Sequence, residues 1–389
     1  MEFSPVNHRR GRGPTRLLSL IFALALVAAA CGDSAADTAT TSATGDTATT
    51  APATEPFRVA LIYPGTADDL SWSNAWFDGA QEAMAQNPNI EVESVELIND
   101  PDQALAQGSA FASEGFDLIL IAHGALVDPG IQIAQQFPDV QVCVAPHHPG
   151  AETGPPNQPD NLCWIDIAQH DADFFAGVLA ALVTESGHIG ALNGFEFPAL
   201  TRQPESFHLG ARCVNPDIQF SQEYLNTWID TGVAKAGAQA LAAAGVDVIL
   251  SATDSAVFGI IDAAKEADSQ LWVIPSYYES QVLGPEVVLT SAIHGLSIAG
   301  REVILQAADG GLGSAAFIEF DALNNERIRA PLYDNIAALL SAEDVETFRD
   351  IEAKVLSGEI TIPDETAGDP TIGAVGSGGE IDLVAIGCG

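Results

Sequence analysis

The chain has 389 residues, of which 53 are acidic and 14 are basic, so its formal net charge at pH 7 is −39. That field repels nucleic acid and anionic ligands, which argues against a polyanion and favours a neutral or cationic small molecule as partner. A surface adapted to high salt would explain the size of the charge equally well, and the argument against a polyanionic ligand would still hold. The length suffices for two domains of ordinary size.

Residues 1–30 have the pattern of a secretory signal peptide. Four arginines precede an apolar run over residues 17–30, and small residues come just before Cys31. A helix of that length extends for about 21 Å, which is shorter than the ~30 Å hydrocarbon core of a bilayer. A basic start and a short apolar run are therefore typical of an export signal that is removed, and not of a spanning helix.

Cys31 indicates which kind of export signal this is. It directly follows three alanines, so the segment resembles a bacterial lipoprotein signal, although Ala28 stands where such signals prefer leucine. The resemblance implies that Cys31 is lipidated and anchors the protein at the extracytoplasmic face of the cell membrane. An ordinary signal with an incidental cysteine is the alternative. Residues 31–56 are mostly Ala, Thr, Ser, Asp and Gly, which predicts a disordered tether.

From residue 57 onward, β-rich segments alternate with segments of helical periodicity. The first set predicts strands at 57–63, 90–97, 117–121, 140–144 and 162–165, with helices at 74–86, 102–113 and 127–136. The second set predicts strands at 188–192, 218–224, 246–250 and 271–274, with helices at 172–185, within 204–213, at 232–244 and at 256–267. Such alternation is typical of parallel sheets covered by helices on both faces.

Two sets of this kind predict an α/β fold of two doubly wound parallel-sheet lobes joined by a hinge. After residue 275 the pattern loosens into strands at 287–291 and 315–320, helices at 295–308 and near 342–356, and a last strand at 381–386. We expect residues 57–167 and 276–310 to form the N-terminal lobe. The C-terminal lobe would then comprise residues 168–275 and 311–389.

Apart from Cys31, the chain has four cysteines, an even number that predicts two disulfides in an oxidising compartment. Cys143 ends one predicted strand and Cys163 starts the next, so these two can approach within bonding range. Cys213 and Cys388 then form the second pair by elimination. No two cysteines have CxxC spacing, so neither a zinc site nor thiol redox chemistry is indicated.

Ligands of open α/β sheets bind beyond the carboxyl ends of the strands, where this chain places two tryptophans. Trp72 follows the first predicted strand, and Trp228 holds the matching position in the second lobe, so the pair could clamp a planar ring. Asp254 follows another strand and could accept a hydrogen bond from a ring N–H. Ser71 lies beside Trp72, and both it and Asp254 would serve equally well as helix caps.

Patterns of catalytic chemistry are missing from the sequence. It has no Gly-x-Ser-x-Gly, Ser-x-x-Lys or phosphate-binding glycine motif, and His147-His148 has no acidic partner at a fixed spacing. We therefore expect no enzyme activity, no cofactor and no metal. A hydrolase that uses histidines such as His123 is the least favoured alternative.

Several motifs together resemble the basic membrane protein family. They include Tyr63-Pro64-Gly65, residues 68–73, residues 226–230 and Thr253-Asp254-Ser255, in that order along the chain. Members are lipid-anchored substrate-binding proteins of ABC transporters, and many take up purine nucleosides or bases. The resemblance implies a fold like that of type I periplasmic binding proteins, a permease partner, and a purine held between Trp72 and Trp228.

The departures from the family pattern bear on the ligand. Tyr63 replaces an aspartate of the nucleoside binders, and Tyr277 and His294 fall where those proteins have their ribose-binding aspartate and lysine. Asp254 resembles the base-binding branch of the family. We therefore expect a purine base such as adenine, or a similar flat heterocycle, more than a nucleoside. The chain is expected to act as a monomer, and a sensory module that presents ligand to a membrane receptor is the alternative.

Overall fold

The computed structural model describes residues 55–146, 158–196, 198–363 and 383–388. The predicted signal peptide, Cys31 and almost all of the tether lie outside the described residues. Within them, no helix is long and apolar enough to cross a membrane.

Strands and helices alternate along the described chain, as the sequence predicts. The strands are β1 Phe57–Ile62, β2 Ile90–Val95, β3 Leu118–Ile121, β4 Gln141–Val144, β5 Leu162–Ile167, β6 His188–Asn193, β7 Gln219–Tyr224, β8 Val248–Ala252, β9 Trp272–Tyr277, β10 Ala292–His294, β11 Phe317–Phe320 and β12 Ile328–Arg329. The helices are α1 Trp72–Gln86, α2 Pro101–Ser113, α3 Val127–Gln136, α4 Gln169–Val183, α5 Pro198–Val214, α6 Thr231–Ala243, α7 Val257–Glu266, α8 Leu296–Ala308, α9 Asp334–Ala337 and α10 Ala342–Leu356.

These strands form two six-stranded sheets. The first has the order β11-β5-β4-β3-β1-β2, and the second has the order β12-β10-β9-β8-β6-β7. Neighbouring strands run parallel except for β12, which is antiparallel to β10. Central strands such as β3 and β8 are mostly apolar and are buried along their whole length, as a parallel sheet covered on both faces requires. The predicted α/β class with two doubly wound sheets is confirmed.

The chain crosses between the two sheets three times, and two strands lie in lobes other than those expected. β10 pairs with β9 through Ala292 and Ser276, so it belongs to the second sheet. β11 pairs with β5 through Phe317 and Trp164, so it belongs to the first. The expected assignment of 276–310 to the N-terminal lobe and of 311–389 to the C-terminal lobe is therefore wrong for these strands, because each is the partner of a strand in the opposite sheet.

The three crossings run side by side and are hydrogen-bonded to one another. The backbone N–H of Ala168 donates to the carbonyl of Phe320 at 2.8 Å, and that of Ala322 donates to the Asp171 carboxylate at 2.9 Å. The side-chain amide of Asn325 donates to the carbonyl of Gly295, also at 2.9 Å. These bonds define a three-stranded connection at the position of the expected hinge.

A buried ion pair joins the two lobes next to this connection. Arg202 of α5 donates to the carboxylate of Asp166 in β5 at 2.8 Å and to the backbone carbonyl of Ile167. Both charged side chains are almost fully buried. Separation of the two charges would leave each of them buried and uncompensated, which is energetically costly. The pair therefore holds α5 in a fixed position against the end of β5.

Three local predictions differ from the structure. Residues 287–291 do not form the predicted strand and make only a single parallel bridge, between Val288 and Val273. The strand that pairs with the end of β9 is β10. The described part of the predicted last strand, residues 383–386, is a turn. Helix α5 is longer than the predicted helix and continues through Pro204, which the sequence pattern treats as a helix start.

The disulfides join the expected cysteines. Cys143 and Cys163 face each other on the neighbouring strands β4 and β5, with their Cα atoms 4.5 Å apart. Cys213, near the end of α5, is bonded to Cys388, with Cα atoms 5.0 Å apart. The second bond fixes the end of the chain to the second lobe, and the backbone N–H of Thr361 reinforces it by donating to the carbonyl of Ile386.

Candidate ligand-binding cleft

A cleft lies where the carboxyl ends of strands from both sheets meet. Residues that follow β1, β3, β4 and β5 line one side, and residues that follow β6, β7 and β8 or end β9 line the other. The lining consists of Pro64, Trp72, His123, Gly124, Pro146, Gln169, Leu200, Trp228, Asp254 and Tyr277. Four of the seven predicted ligand-binding residues, Trp72, Trp228, Asp254 and Tyr277, therefore lie together.

Trp72 is the first residue of α1 and is held rigidly. Its indole Nε1–H donates to the carbonyl of Ala122 at 2.8 Å, just past the end of β3. The ring centroid lies 5.9 Å from that of Trp76, one turn along the helix, and Trp76 is fully buried. The indole is thus fixed by its own lobe before any ligand arrives, which lowers the entropy that binding would cost.

The start of α1 is capped by Asp69. Its carboxylate accepts hydrogen bonds from the backbone N–H groups of Ser71, Ser73 and Asn74. Ser71 holds the capping position but makes no side-chain cap, so its hydroxyl is available for another partner. That partner lies in the opposite lobe, because the Ser71 hydroxyl donates to Asp254 at 3.4 Å.

Asp254 is a buried carboxyl group in contact with both lobes. Burial raises its pKa to about 8, the nearby charge of Asp69 adds to the rise, and the hydrogen bond from Ser71 opposes it. Burial also raises the pKa of Asp69, against the hydrogen bonds that it accepts. Asp254 is therefore mostly protonated at neutral pH in this arrangement, and it can donate one hydrogen bond and accept another.

Trp228 supplies the second indole, from the loop between β7 and α6. Its ring lies directly against Gly194, where any side chain would overlap it. The ring centroid of Phe195 is 5.2 Å away. The carbonyl of Trp228 accepts a hydrogen bond from Ala256. Gly194 thus gives the indole a flat support at the end of β6, which explains why a glycine is needed there.

The other three predicted ligand-binding residues are not part of the lining. Tyr63 is fully buried in the hydrophobic core beneath Trp72, because it follows β1 on the side of the sheet that α1 covers. His294 is also fully buried, with its ring 5.0 Å from that of Tyr277, which separates it from the cleft. Ser71 is buried and reaches the cleft only through its contact with Asp254.

His123, Gln169, Leu200 and Pro146 also line the cleft, although the sequence does not mark them as ligand contacts. The Nδ1 atom of His123 accepts a hydrogen bond from Ala125, and burial lowers the pKa of the imidazole to about 4. The ring is therefore neutral, with its proton on Nε2 as a hydrogen-bond donor. Only its position directly after a strand could have indicated this residue. Leu200 and Gln169 reach the cleft through the packing of α4 and α5.

Among the described residues, no three His, Cys, Asp or Glu side chains come together as a metal site would require. The cleft instead combines aromatic rings with a few polar groups, which is typical of a small-molecule site. Two α/β lobes, a three-stranded connection and a cleft between them define a two-lobed solute-binding protein. The sequence profile of the PnrA-like ABC transporter substrate-binding proteins matches residues 57–366, and the chain belongs to this family.

Three proteins of known name are similar to this chain in sequence. A purine-binding protein of Brucella abortus is 31% identical over 205 residues, which cover 52% of this chain and 56% of the relative. Basic membrane protein B of Borreliella afzelii is 23% identical over 79% of this chain and 87% of its own. A putative ABC transporter glucose-binding protein of Haloferax volcanii is 30% identical, over 61% of this chain and 58% of its own. The chain thus spans little more than half of the first and third relatives.

Solved structures of the same kind confirm the fold. An ABC transporter solute-binding protein from Aeropyrum pernix has a TM-score of 0.69 at 17% identity, over 82% of this chain and 95% of its own. One from Conexibacter woesei has a TM-score of 0.62 at 22% identity, over 79% and 98%. Substrate-binding proteins of ABC transporters are extracytoplasmic and generally not enzymes, and they deliver small molecules to a permease.

Proposed function

We propose that this protein delivers a purine base, such as adenine, to an ABC importer, and that it binds the base between Trp72 and Trp228. The observation that carries the proposal is the lining of the cleft, which takes one indole from each lobe and places a buried carboxyl group beside them. Stacking of a base on an aromatic side chain contributes about 1–3 kcal/mol. The name of the Brucella relative supports a purine as the ligand.

Asp254 is the group that would recognise the edge of the base. In its protonated form a carboxyl group offers one donor and one acceptor side by side, which matches a ring nitrogen next to an N–H or amino group. His123 would add a donor from the other lobe. Because the same cleft has two aspartates nearby and the chain is strongly acidic, a phosphorylated ligand would be repelled.

Binding would close the two lobes around the base. The contact between Ser71 and Asp254 spans the cleft, so it forms only when the lobes approach. The three crossing segments form the hinge, and the closed form would dock on the permease. We further propose that lipidated Cys31 keeps the protein on the outer face of the membrane while the tether lets the lobes reach the permease.

The ligand can be identified by native mass spectrometry of the purified protein, followed by a thermal-shift screen. The screen compares adenine, adenosine, adenosine monophosphate and glucose, the last because of the Haloferax relative. We expect adenine to raise the midpoint temperature of unfolding most and adenosine monophosphate to leave it unchanged. Trp228→Ala removes one of the two indoles and should reduce the shift that adenine causes. Stabilisation by glucose alone, retained in Trp228→Ala, would contradict the proposal.

A further inference from the structure

Tyr277 separates the ligand-binding cleft from a second cavity. This cavity, which we call the back pocket, has a volume of about 300 Å³ and lies between the start of α1, the turn from β10 to α8, and β12. Among the described residues that line the cleft or the back pocket, Tyr277 alone borders both. Tyr277 is therefore the residue at which the two spaces adjoin.

The Tyr277 ring is wedged tightly in this position. It is only 3% exposed and stands edge-on to Trp72, with ring centroids 5.7 Å apart, and edge-on to His294 at 5.0 Å. Burial raises the pKa of its hydroxyl well above the ordinary value, and the charges of Asp254 and Asp173 raise it further. The ring is thus neutral and buried against Trp72, which lines the cleft.

The backbone at Tyr277 is strained. Its φ angle is +79°, in a region that bulky residues rarely adopt and that glycine occupies without cost. Outliers of this kind persist where the surrounding structure over-determines them, and they cluster at ligand sites. A large side chain kept at a position that suits glycine indicates that the ring itself serves a purpose.

The back pocket is more polar than the cleft. Arg327 and Arg329 line it together with Glu279, Tyr278 and Ser297. Arg327 is paired with Glu82 at 3.0 Å. Such a lining suits a substituent that carries hydroxyl groups, because these can both donate to carboxylates and accept from guanidinium groups.

We infer that the Tyr277 side chain is a specificity-determining plug that blocks the back pocket and restricts the cleft to rings without a sugar or similar substituent. The inference rests on the proposed function and deepens it. A plug differs from a mere loss of sugar contacts, because the Tyr277 ring excludes the larger ligand by occupying the space that its sugar would need. Removal of the ring alone should then admit that ligand, with no new contact built in.

The test measures the affinities of adenine and adenosine by calorimetry for wild type, Tyr277→Gly, Tyr277→Asn and Tyr277→Phe. Glycine accepts the φ angle freely, and asparagine tolerates it better than other residues, so at least one small variant should fold. We expect wild type to prefer adenine by at least tenfold. The small variants should bind adenosine at least tenfold more tightly than wild type does, whereas Tyr277→Phe, which keeps the ring, should retain the preference for adenine.

The outcomes separate the plug from the proposed function. If adenine binds every variant and adenosine binds none of them more tightly, the plug is refuted and the purine site stands. A Tyr277→Phe protein that gains adenosine binding as the small variants do would also refute it, because the ring would not be the cause. If neither compound binds any of the four proteins, the proposed function fails and the plug with it.

Discussion

Asp254→Asn should change how the stability of the protein depends on pH. In the folded protein the pKa of Asp254 is about 8, whereas a carboxyl group in an unfolded chain titrates near 3.9. Between these values the folded state holds a proton that the unfolded state has released. The free energy of unfolding therefore decreases as the pH rises, by about 1.4 kcal/mol per pH unit from this group.

From pH 5 to pH 7 the decrease amounts to roughly 2.7 kcal/mol, and it ends as the pH passes 8, where both states are ionised. Asparagine keeps the shape and the hydrogen bond from Ser71 but does not titrate. Asp254→Asn should therefore gain stability relative to wild type by that amount over the two units.

Urea unfolding at pH 5, 6 and 7 measures the difference directly, from the midpoints at a common slope. Asp68→Asn is the matched control, because it removes an exposed carboxyl group from the loop between β1 and α1 and should alter stability by no more than about 0.5 kcal/mol at any pH. If the free energies of unfolding of wild type and Asp254→Asn change in parallel from pH 5 to pH 7, Asp254 holds no extra proton in the folded state. Its role as a neutral hydrogen-bonding group is then refuted.

Three further changes test the rest of the structure. Trp72→Ala and Trp228→Ala should each weaken adenine binding by about 1–3 kcal/mol through lost stacking, and calorimetry with unchanged affinity in both would remove them from the site. Cys213→Ala with Cys388→Ala should lower the free energy of unfolding by about 2–5 kcal/mol, and an unchanged urea midpoint would count against a structural role for that disulfide. Cys31→Ala should shift the protein from the membrane fraction to the soluble fraction with ligand affinity unchanged, and membrane retention of the cleaved variant would disprove the lipid anchor.

Local patterns in the sequence were enough to predict the class of fold and most of its strands. Runs such as Leu118–Ile121 are apolar and short, and helical periods separate them, so the parallel sheets follow from local signals. The lobe assignments of β10 and β11 could not be predicted in the same way. β11 joins β5, which lies far away in the sequence, whereas β10 joins β9, the strand before it in the chain. No local property of three or four residues selects between two sheets.

The candidate site shows a similar division. Trp72, Trp228 and Asp254 were predictable because they follow strand ends and match family motifs. Tyr63 and His294 also follow strands, yet they are buried, because the direction of a side chain at a strand end depends on the helix packed beside it. Leu200 reaches the cleft only through the packing of α5, which a sequence pattern does not record.

The three crossings have a consequence for how the protein can be made and divided. Each sheet contains strands from separate parts of the chain, and neither has its full set until β11 and β12 have been synthesised. A chain cut after residue 310 would leave β5 and β10 as bare sheet edges, which are templates for aggregation. Neither lobe can be produced alone as one continuous fragment, so an early stop or a proteolytic loss of the last eighty residues should destroy both halves at once.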